Sequence, residues 1–286
     1  MKHSYNVIKY VALGLGLLLS AVILAAVGQL VLGVAQGVNT LGFHWSGAGG
    51  ASQGAISRDY SFSNIASLDL DCGTGNVQVT AGDSDTWIVK AENVNSEFTC
   101  TQTGSSLKIK NPKPWWNFLS NLFSKDEKIT VIAPKGARLS EFDLDCGVGS
   151  FTLDSLTVDS LSLDAGTGRI EIENLTVSGN TELDCGVGEI SIRSSAMHNL
   201  KVDGGVGSFS YEGTLTGKSE FSCGVGNTEL LLSGTVQDYR IDADSGVGTV
   251  RVDNEKIQKH QKLGSSDAPH SLRIDGGVGN VQVSFR

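Results

Sequence analysis

The stretch FDLDCGVGSFTL, from Phe142 to Leu153, is one unit of a motif that recurs through most of the chain. Its centre, two glycines separated by a valine or threonine, occurs eight times. The first glycines of these copies stand at positions 73, 147, 166, 186, 205, 224, 246 and 277. From 147 to 246 the intervals are 19, 20, 19, 19 and 22 residues, which is a period near 19–20 and the mark of a repeated structural unit.

The flanks of each copy alternate apolar and polar side chains, a pattern typical of half-buried β-strands. Phe142, Leu144 and Val148 share one parity, whereas Phe151 and Leu153 have the other. The alternation therefore slips at the second glycine, where a residue without Cβ lets the chain bend. The parity predicts that the valine between the glycines points inward. The valines expected to form one interior row are Val148, Val187, Val206 and Val225.

Each repeat contains two further slips of the alternation, which indicates a coil with three short sides and three corners. Coils stacked about 4.8 Å apart would pair their backbones and bury one continuous apolar column. We therefore predict an all-β fold, a parallel β-solenoid with three-sided coils of about 19–20 residues. Right-handed winding is expected because β-crossover-β connections nearly always have that hand. Residues 139–286 form the regular repeats, and residues 58–138 form irregular N-terminal β coils that cap them.

The N-terminal region carries a candidate membrane anchor. Residues 11–38 contain no charged side chain, and about 20 apolar residues suffice for a transmembrane helix. The apolar run is longer than that of a cleavable signal peptide, so an uncleaved anchor is favoured over cleavage. Lys2 and Lys9 precede the span, which predicts a cytoplasmic N-terminus (1–10), a Gly/Ser-rich linker (39–57) and an extracellular C-terminal domain.

Composition and motifs exclude several classes of function. The formal charge of −9 argues against nucleic acid as a partner, because phosphate backbones demand a basic face. A strand follows each glycine pair where a dinucleotide site would need a helix, so we expect no small-molecule cofactor. The chain has no G-x-S-x-G or H-E-x-x-H motif, and its five histidines are scattered. A glycan-cleaving enzyme would need clustered carboxylates, whereas the outward acids are spread over several coils. No catalytic residue is therefore predicted.

Four cysteines occupy the position before the first glycine. They are Cys72, Cys146, Cys185 and Cys223. Elsewhere that slot holds alanine, glycine or serine, so cysteine fits it by size. Cys146 and Cys185 lie two coils apart, as do Cys185 and Cys223, which places each pair about 9–10 Å apart. A disulfide needs Cα atoms within about 7 Å, so no disulfide is expected within this set and all four cysteines are expected to stay reduced.

Aspartates occupy the position two before the first glycine in seven of the eight copies. Alternation points them outward, stacked along one edge. A calcium ladder is one interpretation, because hard oxygen ligands suit that ion. The favoured alternative is a carboxylate that accepts backbone N–H groups of its own corner, since repulsion between such neighbours in water is only about 0.9 kcal/mol. We therefore predict no metal site.

The insert PKPWWNFLSNLFSKDEK (112–128) is the most unusual segment. Its large apolar side chains would line one face of a short helix. They could contact a membrane surface or a partner protein, or the helix could plug the open end of the solenoid. The candidate contact residues are Trp115, Trp116, Phe118, Leu119, Leu122 and Phe123.

Several segments together resemble a known family. They are LDLDCGTGNVQVTAGDSD (68–85), SLKIK (106–110) and ITVIAPKGARLSEFDLDCGVGSFTL (129–153), followed by the L-x-L-D-x-G-V-G repeats. Over residues 58–286 the chain resembles the bacterial proteins described as putative adhesins. The resemblance implies a β-solenoid outside the membrane and offers no catalytic residues.

The sequence thus favours a non-enzymatic, membrane-anchored surface protein that binds a protein or a cell-wall or surface ligand, or serves as a scaffold. The alternative is an accessory or regulatory protein of a cell-envelope stress response, a role that the family resemblance also suggests.

Overall fold

The computed structural model describes residues 56–112, 127–253 and 255–286. This part of the chain is all-β, with nineteen strands and one turn of 3-10 helix at Val236–Asp238. The strands are β1 (Ile56–Phe62), β2 (Ser67–Ala81), β3 (Trp87–Val94), β4 (Thr99–Thr103), β5 (Ser106–Asn111), β6 (Lys128–Ala133), β7 (Arg138–Val177), β8 (Thr181–Asp184), β9 (Val187–His198), β10 (Leu200–Asp203), β11 (Val206–Thr216), β12 (Lys218–Ser222), β13 (Val225–Leu232), β14 (Tyr239–Asp244), β15 (Val247–Val252), β16 (Glu255–Lys256), β17 (His260–Gly264), β18 (His270–Asp275) and β19 (Val278–Phe285).

The predicted transmembrane segment, 11–38, lies outside the described residues. Within the ranges that are described, no helix is long and apolar enough to cross a bilayer.

The repeats whose first glycines are 147, 166, 186, 205 and 224 stack in register, each on the one before it. Strand β11 runs parallel to β9, with Val206 opposite Val187 and Phe209 opposite Ile190, so partners are 19 residues apart in the sequence. Strand β13 continues the stack on β11 with the same offset. Neighbouring repeats in this part of the chain are thus parallel, whereas the solenoid as a whole stays a prediction. Its three-sided shape and its handedness stay predictions.

The glycines of the motif are required by the closeness of neighbouring coils. A Cβ at Gly188 would lie 1.9 Å from the carbonyl oxygen of Gly168, and a Cβ at Gly186 would lie 1.9 Å from that of Gly166. Gly188 also has φ = +145°, a backbone conformation that side-chain-bearing residues rarely adopt. Each corner is therefore built from backbone packed on backbone.

The apolar positions three residues before and four and six residues after the first glycine form the core, as predicted. Leu183 and Ile192 are fully buried, and Ile190 is 6% exposed. The same positions in neighbouring coils stack on them and form one continuous hydrophobic cluster.

The valine between the glycines lies outside this core, so the prediction of an interior valine row is wrong. Val148 is 42% exposed, and Val187, Val206 and Val225 are 49–53% exposed. The physical reason is the corner itself. Because both flanking glycines pack against backbone of the neighbouring coil, the residue between them is turned out of the column.

The C-terminal strands lie inside the stack. Strand β19 pairs in parallel with β13 on one side and with β15 on the other. Strand β18 likewise lies between β12 and β14. The last repeat in the sequence is thus the penultimate layer of the structure.

The opposite end is formed by β1 to β6. Strand β2 pairs in parallel with β7 on one side and with both β5 and β6 on the other. Strands β3 and β4 run antiparallel to β6 and β5 respectively, and β1 runs antiparallel to β3. Antiparallel strands also lie at the other end of the stack, where β17 runs antiparallel to β14 and β16 to β15.

Candidate functional site

Six exposed valines form an apolar row along one corner of the stack, which we call the valine row. It consists of Val148, Val187, Val206, Val225, Val278 and Val247, which are 42–73% exposed and are the large exposed hydrophobic residues of the described chain. Thr74 and Thr167 hold the same position in two further coils. A contiguous apolar row on a surface is a mark of a binding site.

All members of the valine row except Val247 line a long half-open groove, which we call the corner groove. It runs across seven coils, from Cys72 and Gly75 at one end to Val278 and Val281 at the other. At the strand spacing of about 4.8 Å, seven coils span roughly 30 Å. The groove can therefore take an extended molecule along its length.

The thiols in the groove are poorly reactive at neutral pH. Burial first, and then the charges of Asp145 and Asp164, raise the pKa of Cys146 to about 12. Burial likewise raises the pKa of Cys185 to about 12 and raises those of Cys72 and Cys223. Since the thiolate is the nucleophile and the metal ligand, these thiols are poor candidates for either role at neutral pH.

The predicted row of aspartates directly precedes, in each repeat, the position of the cysteines that line the groove, and its members stack in register. Asp184 lies opposite Asp164 and Asp203, and Asp145 lies opposite Asp71. Burial first, and then the charges of neighbouring carboxylates, raise the pKa values of Asp145 and Asp184. This edge of the groove is therefore acidic and disfavours anionic ligands.

Several of these carboxylates have partners. Asp203 binds Lys201 at 3.0 Å, and Asp275 binds Arg273 at 3.1 Å. Asp244 accepts a hydrogen bond from the backbone N–H of Gly246 at 3.0 Å, which is the own-corner bond that the sequence predicts. In the part of the chain that the structure describes, no group of three or more His, Cys, Asp or Glu side chains could hold a metal ion.

Amide, hydroxyl and paired charged groups line the other edge of the groove. Ser150 donates a hydrogen bond to Asn76 at 2.7 Å. Further along the stack Asn280 donates to Asn227 at 3.3 Å. Arg169 binds Glu189 at 3.1 Å. The groove thus has an apolar lining between an acidic edge and a largely neutral one.

The described histidines hold structural positions. The Nδ1 atom of His198 lies 3.0 Å from the hydroxyl oxygen of Thr216, and His270 accepts a hydrogen bond from the backbone of Gly217 at 3.3 Å. His260 lies 3.4 Å from Asp242 of β14. His198 and His270 both border Gly217, since a Cβ there would lie 3.0 Å from His198 Nδ1.

The candidate contact residues of the insert lie outside the described residues. They are Trp115, Trp116, Phe118, Leu119, Leu122 and Phe123. The described ends of the insert, however, meet the first coil of the corner groove. Asn111 lies opposite Cys72, and Lys128 lies opposite Asn76.

Glu127 fixes the second of these ends. Its backbone carbonyl accepts a hydrogen bond from Asn76 N–H at 2.9 Å. Its carboxylate accepts from Asn111 at 3.2 Å and from Thr74 at 3.3 Å. Both described ends of the insert therefore lie on the first coil, at the end of the corner groove.

Sequence reasoning missed the valine row because parity alone assigned it to the core. A usable signal was present at the same position, where Thr74 and Thr167 replace valine. A side chain with a hydroxyl is a weak choice for a buried position without a partner.

The geometry defines a class of protein: an all-β stack of parallel coils with an apolar groove along one corner. The sequence places the chain within that class. Residues 65–284 match the Toastrack DUF4097 family, and because this match spans most of the chain, the protein belongs to that family.

Solved structures of similar fold include proteins described as a putative cell adhesion protein from Clostridium sporogenes and a putative adhesin from Bacteroides fragilis. The first is 14% identical and covers 81% of this chain and 100% of its own, with a TM-score of 0.34. The second is 16% identical and covers 81% and 97%, with a TM-score of 0.37. A protein from Parabacteroides distasonis described as a putative lipid binding protein is 16% identical and covers 80% and 97%, with a TM-score of 0.34.

Likeness at this level carries no argument about function. No curated protein matches the chain.

Proposed function

We propose that the chain is a membrane-anchored, extracellular, non-enzymatic surface-binding protein that takes an extended apolar segment of its ligand into the corner groove. The observation that carries this proposal is the valine row. Six valines at the same position of seven successive layers, of which one carries Thr167 instead, are 42–73% exposed to water. Exposing this much aligned apolar surface costs free energy that binding recovers.

The ligand chemistry follows from the shape and charge of the groove. The lining repeats with every coil, so a linear, uniform molecule makes the same contact about every 4.8 Å. The aspartate row disfavours an anionic group along that edge. An uncharged, unbranched apolar chain satisfies both conditions.

A non-enzymatic role is supported by the chemistry of the groove. Its thiols are held protonated by burial, as the raised pKa of Cys185 illustrates. The described histidines bind structural partners, and none of them lines the groove. A binding role needs none of these groups.

The membrane anchor and the winding of the coils are parts of the proposal that the sequence supports. The uncharged run 11–38 and the lysines before it support a single span with the C-terminal domain outside. The 19–20-residue period and the usual hand of parallel crossovers support a right-handed, three-sided coil.

The test uses cells that carry the full chain and beads coated with alkyl chains, with hydroxyl-coated beads as the reference surface. Three valines in the middle of the row are replaced together, Val187→Thr, Val206→Thr and Val225→Thr. Threonine is the matched change because Thr74 and Thr167 show that the corner accepts it. Wild-type cells should bind the alkyl beads at least several-fold better than cells lacking the protein, and the triple variant should lose most of that gain.

Two further arms separate the alternatives. A Trp115→Ala, Trp116→Ala variant tests the insert as the contact surface: loss of binding there, with the valine variant unaffected, would overturn the groove as the site. Equal binding by wild-type and deletion cells, combined with an altered transcriptional response to envelope-damaging antibiotics, would favour the accessory role in envelope stress instead.

A further inference from the structure

We propose that Cys72 and Cys146 form a disulfide that fastens the first coil of the stack to the second. Strands β2 and β7 pair in parallel, and their register puts Cys72 directly opposite Cys146. The chain between them builds the antiparallel strands at the end of the stack and then returns, which is why residues so distant in the sequence become neighbours. The interval-based prediction considered only cysteines two coils apart.

The register satisfies the distance requirement of a disulfide. Neighbouring strands lie about 4.8 Å apart, within the Cα separation of roughly 4.4–6.8 Å seen in disulfides. Both side chains belong to the same position of the repeat and therefore point the same way. Each cysteine is followed by a glycine, Gly73 or Gly147, which gives the backbone latitude for the small approach that a bond requires.

The other cysteines of the described chain have no such neighbour. The slots on either side of Cys185 hold Ala165 and Gly204, and Cys223 is followed in the stack by Gly276. Cys100 pairs with Ile109 across β4 and β5, away from the cysteine column. One disulfide and three remaining thiols are therefore expected.

The timing of the reaction follows from burial. Cys72 is only 4% exposed, and burial raises the pKa of both thiols, so thiolate is scarce once the coils have stacked. Oxidation should occur during folding, before Cys72 is covered. The two thiols lose two electrons and two protons to the disulfide of an exported thiol oxidoreductase, or to oxidised glutathione in vitro.

The bond would act where stacked repeats are weakest. The first coil is held on its outer side by the short strands β5 and β6 instead of a full repeat, and the ends of a stack open before its middle. Closing a loop of this length is expected to raise Tm by about 5–15 °C relative to the reduced chain, because it restricts the unfolded state. The first coil also holds the ends of the insert, through Asn111 and Glu127, so the bond would steady that anchor point.

The experiment refolds the full chain in detergent with mixed reduced and oxidised glutathione, then alkylates free thiols and measures the intact mass. Wild type should accept three alkyl groups without reduction and five after it, and peptide mapping should link the segments that contain Cys72 and Cys146. The variants Cys72→Ala and Cys146→Ala should each leave four reactive thiols and no shift of Tm between oxidised and reduced samples. Alanine is tolerated in this slot, as Ala165 shows.

Cys185→Ala is the matched control, and it should keep both the disulfide and the Tm shift. The proposal is overturned if wild type retains five reactive thiols after refolding with the glutathione pair, or if the linked peptides contain any other cysteine. The result does not depend on what the corner groove binds, so either proposal can fail alone.

Discussion

Val278 is the direct parallel neighbour of Val225, although Val247 stands between them in the sequence. Val247 lies on the far side of Val278 and completes the row. The strand that carries Val278 therefore lies in the stack between two repeats that precede it in the sequence. Since each layer of a parallel stack is held by the layers on both sides, the C-terminal strands are expected to stabilise this end of the stack.

The first prediction concerns this inserted layer. Replacing Ile274 with Ala should reduce the free energy of unfolding by about 2–5 kcal/mol, as expected for a fully buried isoleucine. Leu183→Ala, in the middle of the repeats, is the matched comparison and should cost a similar amount. Urea unfolding of the full chain in detergent, followed by circular dichroism, measures both. A cost below about 1 kcal/mol for Ile274→Ala alone would mean that the C-terminal layer frays independently.

The second prediction concerns the contact between corners. Gly188→Ala should destabilise the fold by about 3 kcal/mol or more, because the new Cβ would lie 1.9 Å from the Gly168 carbonyl oxygen and the residue has φ = +145°. Gly104→Ala is the control: its φ is +61°, but a Cβ there meets nothing within 4 Å. It should cost only about 1 kcal/mol, by the same urea measurement. Similar costs at both positions would show that the coils separate easily.

The third prediction separates the surface valines from the core valines. Val206 is 52% exposed, so Val206→Thr should change the free energy of unfolding by no more than about 0.5 kcal/mol. Val202 is 4% exposed, and Val202→Thr should cost about 1–3 kcal/mol, because it buries a hydroxyl in the apolar column. Thermal unfolding of the two variants distinguishes them directly. A large loss in Val206→Thr would contradict the outward orientation of the valine row.

The sequence predicts the repeated part of this fold well because each repeat carries the same local instructions. Alternation assigns Leu183 and Ile192 to the core, and the fixed period sets the parallel register. It fails at Val206 because alternation assumes a continuous strand. The two glycines around that valine pack against the backbone of the neighbouring coil. The alternation of apolar and polar residues within one repeat does not reveal this contact between coils.

The repeat period also does not predict which distant segments of the chain become neighbours in the stack. The pairing of Cys72 with Cys146 depends on how the intervening strands fold back. The pairing of Val225 with Val278 depends on the C-terminal strand β19 lying between two earlier repeats. Both are neighbours in the stack that are distant in the chain, so intervals between adjacent motifs cannot reveal them. The corner groove could not be predicted from the sequence for the same two reasons: its valines were assigned to the core, and the order of its layers differs from the order of the repeats in the sequence.

The last prediction concerns the acidic edge of the corner groove. Burial first, and then the charges of Asp203 and Glu182, raise the pKa of Asp184 above its ordinary value. The folded chain therefore holds this proton more tightly than the unfolded chain. The stability that this proton contributes is fully present below the unfolded pKa of about 3.9 and is lost as the pH rises through the folded pKa.

At pH 7 the ionised Asp184 thus opposes folding, and Asp184→Asn should raise Tm by about 1–2 °C, with the difference closing as the pH falls below 4. Asp159 is the control of opposite sign. Hydrogen bonds from Ser178 and Arg138 lower its pKa, so its contribution is present above the unfolded pKa and is lost on acidification. Asp159→Asn should lower Tm at pH 7 by a similar amount, and that deficit should shrink in acid. Thermal unfolding of both variants from pH 3 to pH 7 measures the two slopes, and slopes of the same sign would contradict the electrostatic account of the aspartate row.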